Sequence, residues 1–212
     1  MANTTVRAIT GVKPRSGLRG LAIAVGLGCL WGLAEATLGT SLHVDQVPLA
    51  GQILIPIGIC CALSAYRFYP LRGSVMAVGV AAAAVRFCAP GPFLPMPALA
   101  ILLEAGLMEL CLLLLGGGRA GFAVAGAAAA AYPLLHAFLF KTLFFGLPLA
   151  GVYSGVIRQA RAILPFPSLG GATLLALWTV LCLALSGAVG FAFGALFSPD
   201  RAPRMRRQTR LR

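Results

Sequence analysis

Five acidic residues occur in this 212-residue chain: Glu35, Asp45, Glu104, Glu109 and Asp200. The three glutamates fall inside long apolar runs, and Gln52, Arg86, His136 and Lys141 lie in or at the edge of others. Carboxylates accept hydrogen bonds and attract ammonium groups, whereas lysine and arginine hold carboxylates or phosphates. Such groups are costly against hydrocarbon, so they must face inward and pair with one another or line a wet cavity. Glu35, Gln52, Arg86, Glu104, His136 and Lys141 are therefore the candidate ligand-binding residues. Each also has a plainer use. Glu35 can pair with Lys141 to join two helices, Lys141 and Arg86 can snorkel to headgroups, and His136 can be a hydrogen-bonded packing residue. Glu109 lies deeper, about 140° around a helix from Glu104, and should meet a different neighbour. Trp31, Tyr132 and Trp178 can stack on a ring or simply pack.

Other chemistries lack a signal. His136, Glu104 and Glu109 are chemically suitable for a divalent ion, but no HExxH or CxxC spacing supports a metal site. The cysteines, Cys29, Cys60, Cys61, Cys88, Cys111 and Cys182, mostly occupy apolar runs and form no zinc or disulfide pattern. There is no Walker motif, dinucleotide-binding loop or serine nucleophile elbow. No catalytic residue and no cofactor are expected.

The elements that position these groups are helices in a membrane. Hydrophobic residues make up 59% of the chain and charged residues 10%, against about 25% charged in a soluble domain. The predicted fold is all-α, a compact bundle of six transmembrane helices over residues 20–199, with a basic head at 1–19 and a basic tail at 200–212. Expected spans are Gly20–Thr40, Val47–Tyr66, Gly73–Ala89, Ala98–Leu115, Phe122–Phe145 and Leu169–Phe197. A linker follows the first span at Ser41–Gln46. Four prolines in residues 90–97, PGPFLPMP, predict a stiff loop. The connection Gly146–Ser168 includes GVYSGVIRQARAI, which can form an amphipathic surface helix.

Six spans place both termini on one side. The segments then assigned to the cytoplasm carry thirteen of the seventeen Lys and Arg residues: four in the head, Arg67, Arg72, Arg119, and six in the tail. The net charge of +12 thus points to topology and anionic lipid at the termini rather than to nucleic acid. A cleaved signal peptide fits less well, because the first apolar run is long and Glu35 sits where cleavage would occur. The expected location is the bacterial inner membrane, with both termini cytoplasmic.

Counting about 1.5 Å per residue, Glu35, Glu104, Lys141 and His136 fall roughly 6–14 Å below the outer surface, with Gln52 and Arg86 in the same half. A polar pocket open to the outside is predicted. In the first span, small residues recur at Gly20, Ala24, Gly28, Gly32 and Ala36. Four-residue spacing puts them on one helix face, which admits close approach of another helix.

These features resemble the S component of an energy-coupling factor importer, the family of small substrate-binding membrane subunits. Ala24, Gly28 and Gly32 match the small-residue face that members carry on the first helix, and WGLAEATLG, Trp31 to Gly39, is similar to proteins of this broad class. The resemblance implies six spans, capture of a small polar or vitamin-like solute from outside, and uptake driven by a separate transmembrane subunit with two ATPases. It also implies docking of that subunit on Gly20, Ala24, Gly28 and Gly32. No signature for thiamine, riboflavin, biotin or folate is present, and the Met-His start of the metal-binding branch is replaced by Met1-Ala2-Asn3. Alternatives are a structural or assembly subunit of a membrane complex, an independent small transporter or channel, and a membrane enzyme using glutamate and histidine.

Overall fold

In a computed structural model the described residues are 17–44, 50–89, 95–143 and 169–197, with scattered positions between 146 and 161. They are helical, and no strand occurs among them. The chain begins with α1 (Gly17–Ala34), which passes into a π-helical turn (Glu35–Gly39) and then α2 (Thr40–Val44). The flanking residues Ala34 and Thr40 keep right-handed helical angles, so the three pieces form one rod. Next come α3 (Ala50–Phe68), α4 (Ser74–Cys88), α5 (Pro95–Leu115), α6 (Arg119–Leu143) and α7 (Gly171–Phe197).

Among the described residues four segments are long and apolar enough to cross a membrane: Gly17–Leu42, Gly51–Phe68, Met96–Leu115 and Gly171–Leu196. Their outer faces are apolar too. Leu30, Leu33, Leu110, Leu114, Val180 and Leu185 are all more than half exposed, an arrangement suited to hydrocarbon rather than water.

Helix α3 sits at the centre. It packs against α1, α4, α6 and α7, while α1–α4, α4–α5, α5–α6 and α6–α7 contacts run around it. Ile55, Ile59, Ala62, Leu63 and Ala65 carry α3 into the core. Pro56 lies within this helix and Pro133 within α6. Each removes one backbone donor, which neighbouring helices make tolerable in an apolar bundle.

The small-residue stripe of α1 is used inside the chain. A Cβ on Gly20 would strike the Tyr69 ring, one on Gly28 the Val78 carbonyl and Ala81, and one on Gly32 would lie 2.6 Å from the Ala82 carbonyl oxygen. Ala24 is fully buried. Within the chain this face of α1 meets Tyr69 at Gly20 and α4, which runs parallel to α1, at Gly28 and Gly32.

Several expected boundaries move. Gly17–Arg19 of the basic head are helical, as are Ser41–Val44 of the expected linker. Pro95, Met96 and Pro97 open α5 rather than ending a loop, because the first turn of a helix has no use for the proline N–H. Residues 1–16, 45–49, 90–94 and 198–212 lie outside the described set, and with them most of the head, the tail and most of the proline loop. In the amphipathic stretch the described residues Ile157 and Ala160 pack with Leu174, Trp178 and Cys182 of α7, while Arg158 and Arg161 are exposed.

Candidate functional site

Glu35 and Glu104 reach one another from different helices. Each lies nine residues from its helix end, Glu35 from Val44 and Glu104 from Pro95, or about 13–14 Å of helix. Both lie farther from their helix ends than the sequence predicts, because α1 continues through Val44 and α5 starts at Pro95. Glu104 is 8% exposed, and its carboxyl lies within electrostatic reach of Glu35. Tyr132 of α6, also buried, lies within electrostatic reach of Glu104. That hydroxyl shares a 2.6 Å hydrogen bond with His136 Nδ1, and the two rings meet edge to face at 5.4 Å. The i,i+4 spacing on α6 brings this pair together. Three elements thus contribute Glu35, Glu104 and the Tyr132–His136 pair to one polar patch.

Glu35 is the first residue of the π-helical turn. Such a turn holds one more residue than an α-turn and locally re-aims the side chains. Thr37 Oγ1 donates to the Leu33 carbonyl at 2.8 Å. A Cβ on Gly39 would sit 3.2 Å from Leu54 Cδ1 and 3.4 Å from Glu35 Oε2. Gly39 therefore gives the carboxylate room against α3. No residue in this Ala- and Gly-bearing segment announces a π-turn, so the sequence could not reveal it.

The remaining candidates are less well placed. Gln52 is half-buried on the first turn of α3. Arg86 is half-buried near the end of α4, with Nη1 enclosed and without a hydrogen-bond partner. Lys141 belongs to α6, and its side chain lies outside the described residues. Among the described residues no three His, Cys, Asp or Glu side chains come together as metal ligands.

Glu109 meets a different neighbour, as its angular offset from Glu104 predicts. Its Oε1 accepts from Gly73 N at 2.6 Å, and Oε2 from Val75 N at 2.9 Å and Met76 N at 3.3 Å. Helix α4 has only 15 residues, about 22 Å, and begins beside the middle of α5. The first amides of a helix have no partner within it, so a helix that starts among apolar neighbours needs an external acceptor. Glu109 is that acceptor.

Two indoles complete the inventory. Trp31 is 1% exposed and Trp178 8%, and neither Nε1 has a hydrogen-bond partner. From the sequence, Trp31, Trp178 and Tyr132 read as residues that stack on a ring or pack. The polar role of Tyr132 was readable in its four-residue spacing from His136.

In comparison with known proteins, no family model, no curated protein and no solved structure matches the chain.

Proposed function

We propose that the chain is a six-span membrane protein that binds a small polar solute carrying a cationic group. Its role is that of the substrate-binding subunit of an importer, as the resemblance to energy-coupling factor S components implies. The N- and C-termini are cytoplasmic, the cell membrane is the bacterial inner one, and the ends of α2 and α6 and the start of α5 face outward. The observation that carries this proposal is that the buried Glu104 and the half-buried Glu35 lie within electrostatic reach of one another in an apolar bundle. Two carboxylates within electrostatic reach oppose each other's charge, and an ammonium group held by both would offset it.

Because α4 meets the small-residue face of α1, a coupling subunit with its ATPases would dock on another apolar face. The exposed leucines and valines of α1, α5 and α7 offer such surface. A structural-subunit role has one observation in its favour: Glu109 shows that a buried carboxylate in this chain can serve packing alone.

Native mass spectrometry of gently purified protein tests the binding role. Wild type should retain a small solute from the expression host, and Glu35→Gln and Glu104→Gln should lose it. Equal retention by all three folded proteins would remove the site assignment.

A further inference from the structure

Two exposed arginines stand at the end of the bundle where membrane insertion does not call for them, and the inference drawn from them rests on the orientation proposed above. Between α6 and α7 the described residues Gly151, Ser154, Gly155, Ile157, Arg158, Ala160 and Arg161 are all helical. Gly151, Ser154, Arg158 and Arg161 are exposed, and their steps of three, four and three follow one helix face. Ile157 and Ala160 turn instead toward α7. Ala160 is fully buried with Leu174, Trp178 and Cys182, and Ile157 packs on the same cluster. A Cβ on Gly171, the first residue of α7, would lie 2.9 Å from Ile157 Cδ1. Arg119 lies beside Gly194, near the other end of that helix.

Depth follows from α7. Its 27 residues span about 40 Å, close to the thickness of a bilayer with its headgroups. Gly171 then stands at headgroup level, and Trp178, about 10 Å further along the helix, just inside the hydrocarbon. A segment seated on both lies at the boundary, the usual place of an amphipathic surface helix. From that depth an arginine stem lies along apolar surface and its guanidinium reaches the phosphate level. Guanidinium groups take phosphate oxygens in paired hydrogen bonds. Arginines on the cytoplasmic side are accounted for by insertion, but arginines facing outward are not. A soluble acidic protein would have to reach down to headgroup level to meet them, whereas lipid phosphates are already there.

We propose that Arg158 and Arg161 bind the phosphate of an anionic phospholipid in the outer leaflet, whose chains lie against the exposed Leu177 and Val180 of α7.

Trp178 is a local reporter for this lipid, since it packs with Ala160 and adjoins Leu177. The chain has one other tryptophan, Trp31, so full-length Trp31→Phe protein carries a single fluorophore. It is reconstituted in dioleoyl phosphatidylcholine vesicles with rising fractions of dibrominated phosphatidylglycerol or dibrominated phosphatidylcholine, whose bromines quench a nearby indole. Phosphatidylglycerol should be preferred at least about fivefold, the effect of one arginine near an anionic surface. Wild type, whose Trp31 is 1% exposed, should show the same preference on a constant background. Arg158→Gln with Arg161→Gln should abolish the preference, and the double lysine variant, Arg158→Lys with Arg161→Lys, should keep most of it. Arg119→Gln should leave it intact. All three changed positions are exposed, so the variants should melt like their parent. Equal quenching by the two lipids would overturn the proposal and leave the arginines to a soluble acidic partner. A preference that survives the double glutamine variant, or that is lost in Arg119→Gln, would overturn it too. Failure of the proposed orientation shows separately, as termini labelled from outside intact cells while the lipid preference is unchanged.

Discussion

Removing the Glu109 carboxylate should loosen the start of α4 and leave the rest of the bundle standing. In the native protein Oε1 accepts one backbone N–H at 2.6 Å and Oε2 accepts two, at 2.9 and 3.3 Å. The longest of these is weak, so the side chain supplies about two strong bonds. A hydrogen bond to a charged group contributes about 1.5–3 kcal/mol, and an orphaned buried N–H costs about 1–3 kcal/mol. Glu109→Leu removes both bonds and should destabilise by about 3–5 kcal/mol, within the range for a broken buried network. Glu109→Gln keeps one acceptor oxygen but turns an NH₂ toward backbone donors, and should lose about half as much. At about 2–4 °C per kcal/mol for a chain of this size, Glu109→Leu should melt roughly 6–20 °C below wild type in detergent. Hydrogen exchange distinguishes a local cause from a general one. Exchange at Gly73, Val75 and Met76 should rise far more than exchange in the middle of α3. Unchanged protection at these amides, or a Glu109→Leu protein as stable as wild type, would refute the capping role.

Other outcomes follow from the packing. Gly28→Leu should destabilise α1–α4 packing by at least about 3 kcal/mol, because the side chain meets the Val78 carbonyl and Ala82 backbone, which cannot move aside as a flexible side chain would. Gly26→Ala, on an open face of the same helix, should be neutral or stabilising by up to about 1 kcal/mol. A pair of detergent melting curves tests the contrast. Gly73 adopts φ 85° with open space around its Cβ position, so Gly73→Ala should cost about 1 kcal/mol through backbone strain alone. For topology, impermeant reagents applied to intact cells should leave cysteine tags at both termini unlabelled; labelling of either would contradict cytoplasmic ends.

Much of the helical architecture was legible because apolar runs of this length admit little else. The limits of α5 and the α1 rod were less so. Pro95 and Pro97 look like loop residues until the absence of any need for an N–H in a first turn is considered. His43 and Ser41 look like a linker until the helix is seen to continue through them. These shifts matter, because they put Glu35 and Glu104 farther from their helix ends than a count from the apolar edges indicates. The small stripe at Gly20, Ala24, Gly28 and Gly32 announced a close helix contact but not its partner, since stripe chemistry is the same within a chain and between chains. Glu109 offered a readable clue that was missed: α4 is short for a bilayer of about 30 Å, so its first amides need an acceptor from a neighbouring helix. The π-turn at Glu35 has no local signature, and its effect on that carboxylate emerges only from the backbone.

The central claim is that Glu35 and Glu104 together hold the cation of a small solute. The most direct measurement is solute retention by native mass spectrometry, on wild type, Glu35→Gln and Glu104→Gln purified side by side. A bound species of one fixed small mass on wild type, reduced at least about tenfold by either substitution in protein that still melts cooperatively, is the predicted result; the factor corresponds to about 1.4 kcal/mol, the lower end for a lost charge-assisted hydrogen bond. The same species at equal occupancy on all three proteins would contradict it.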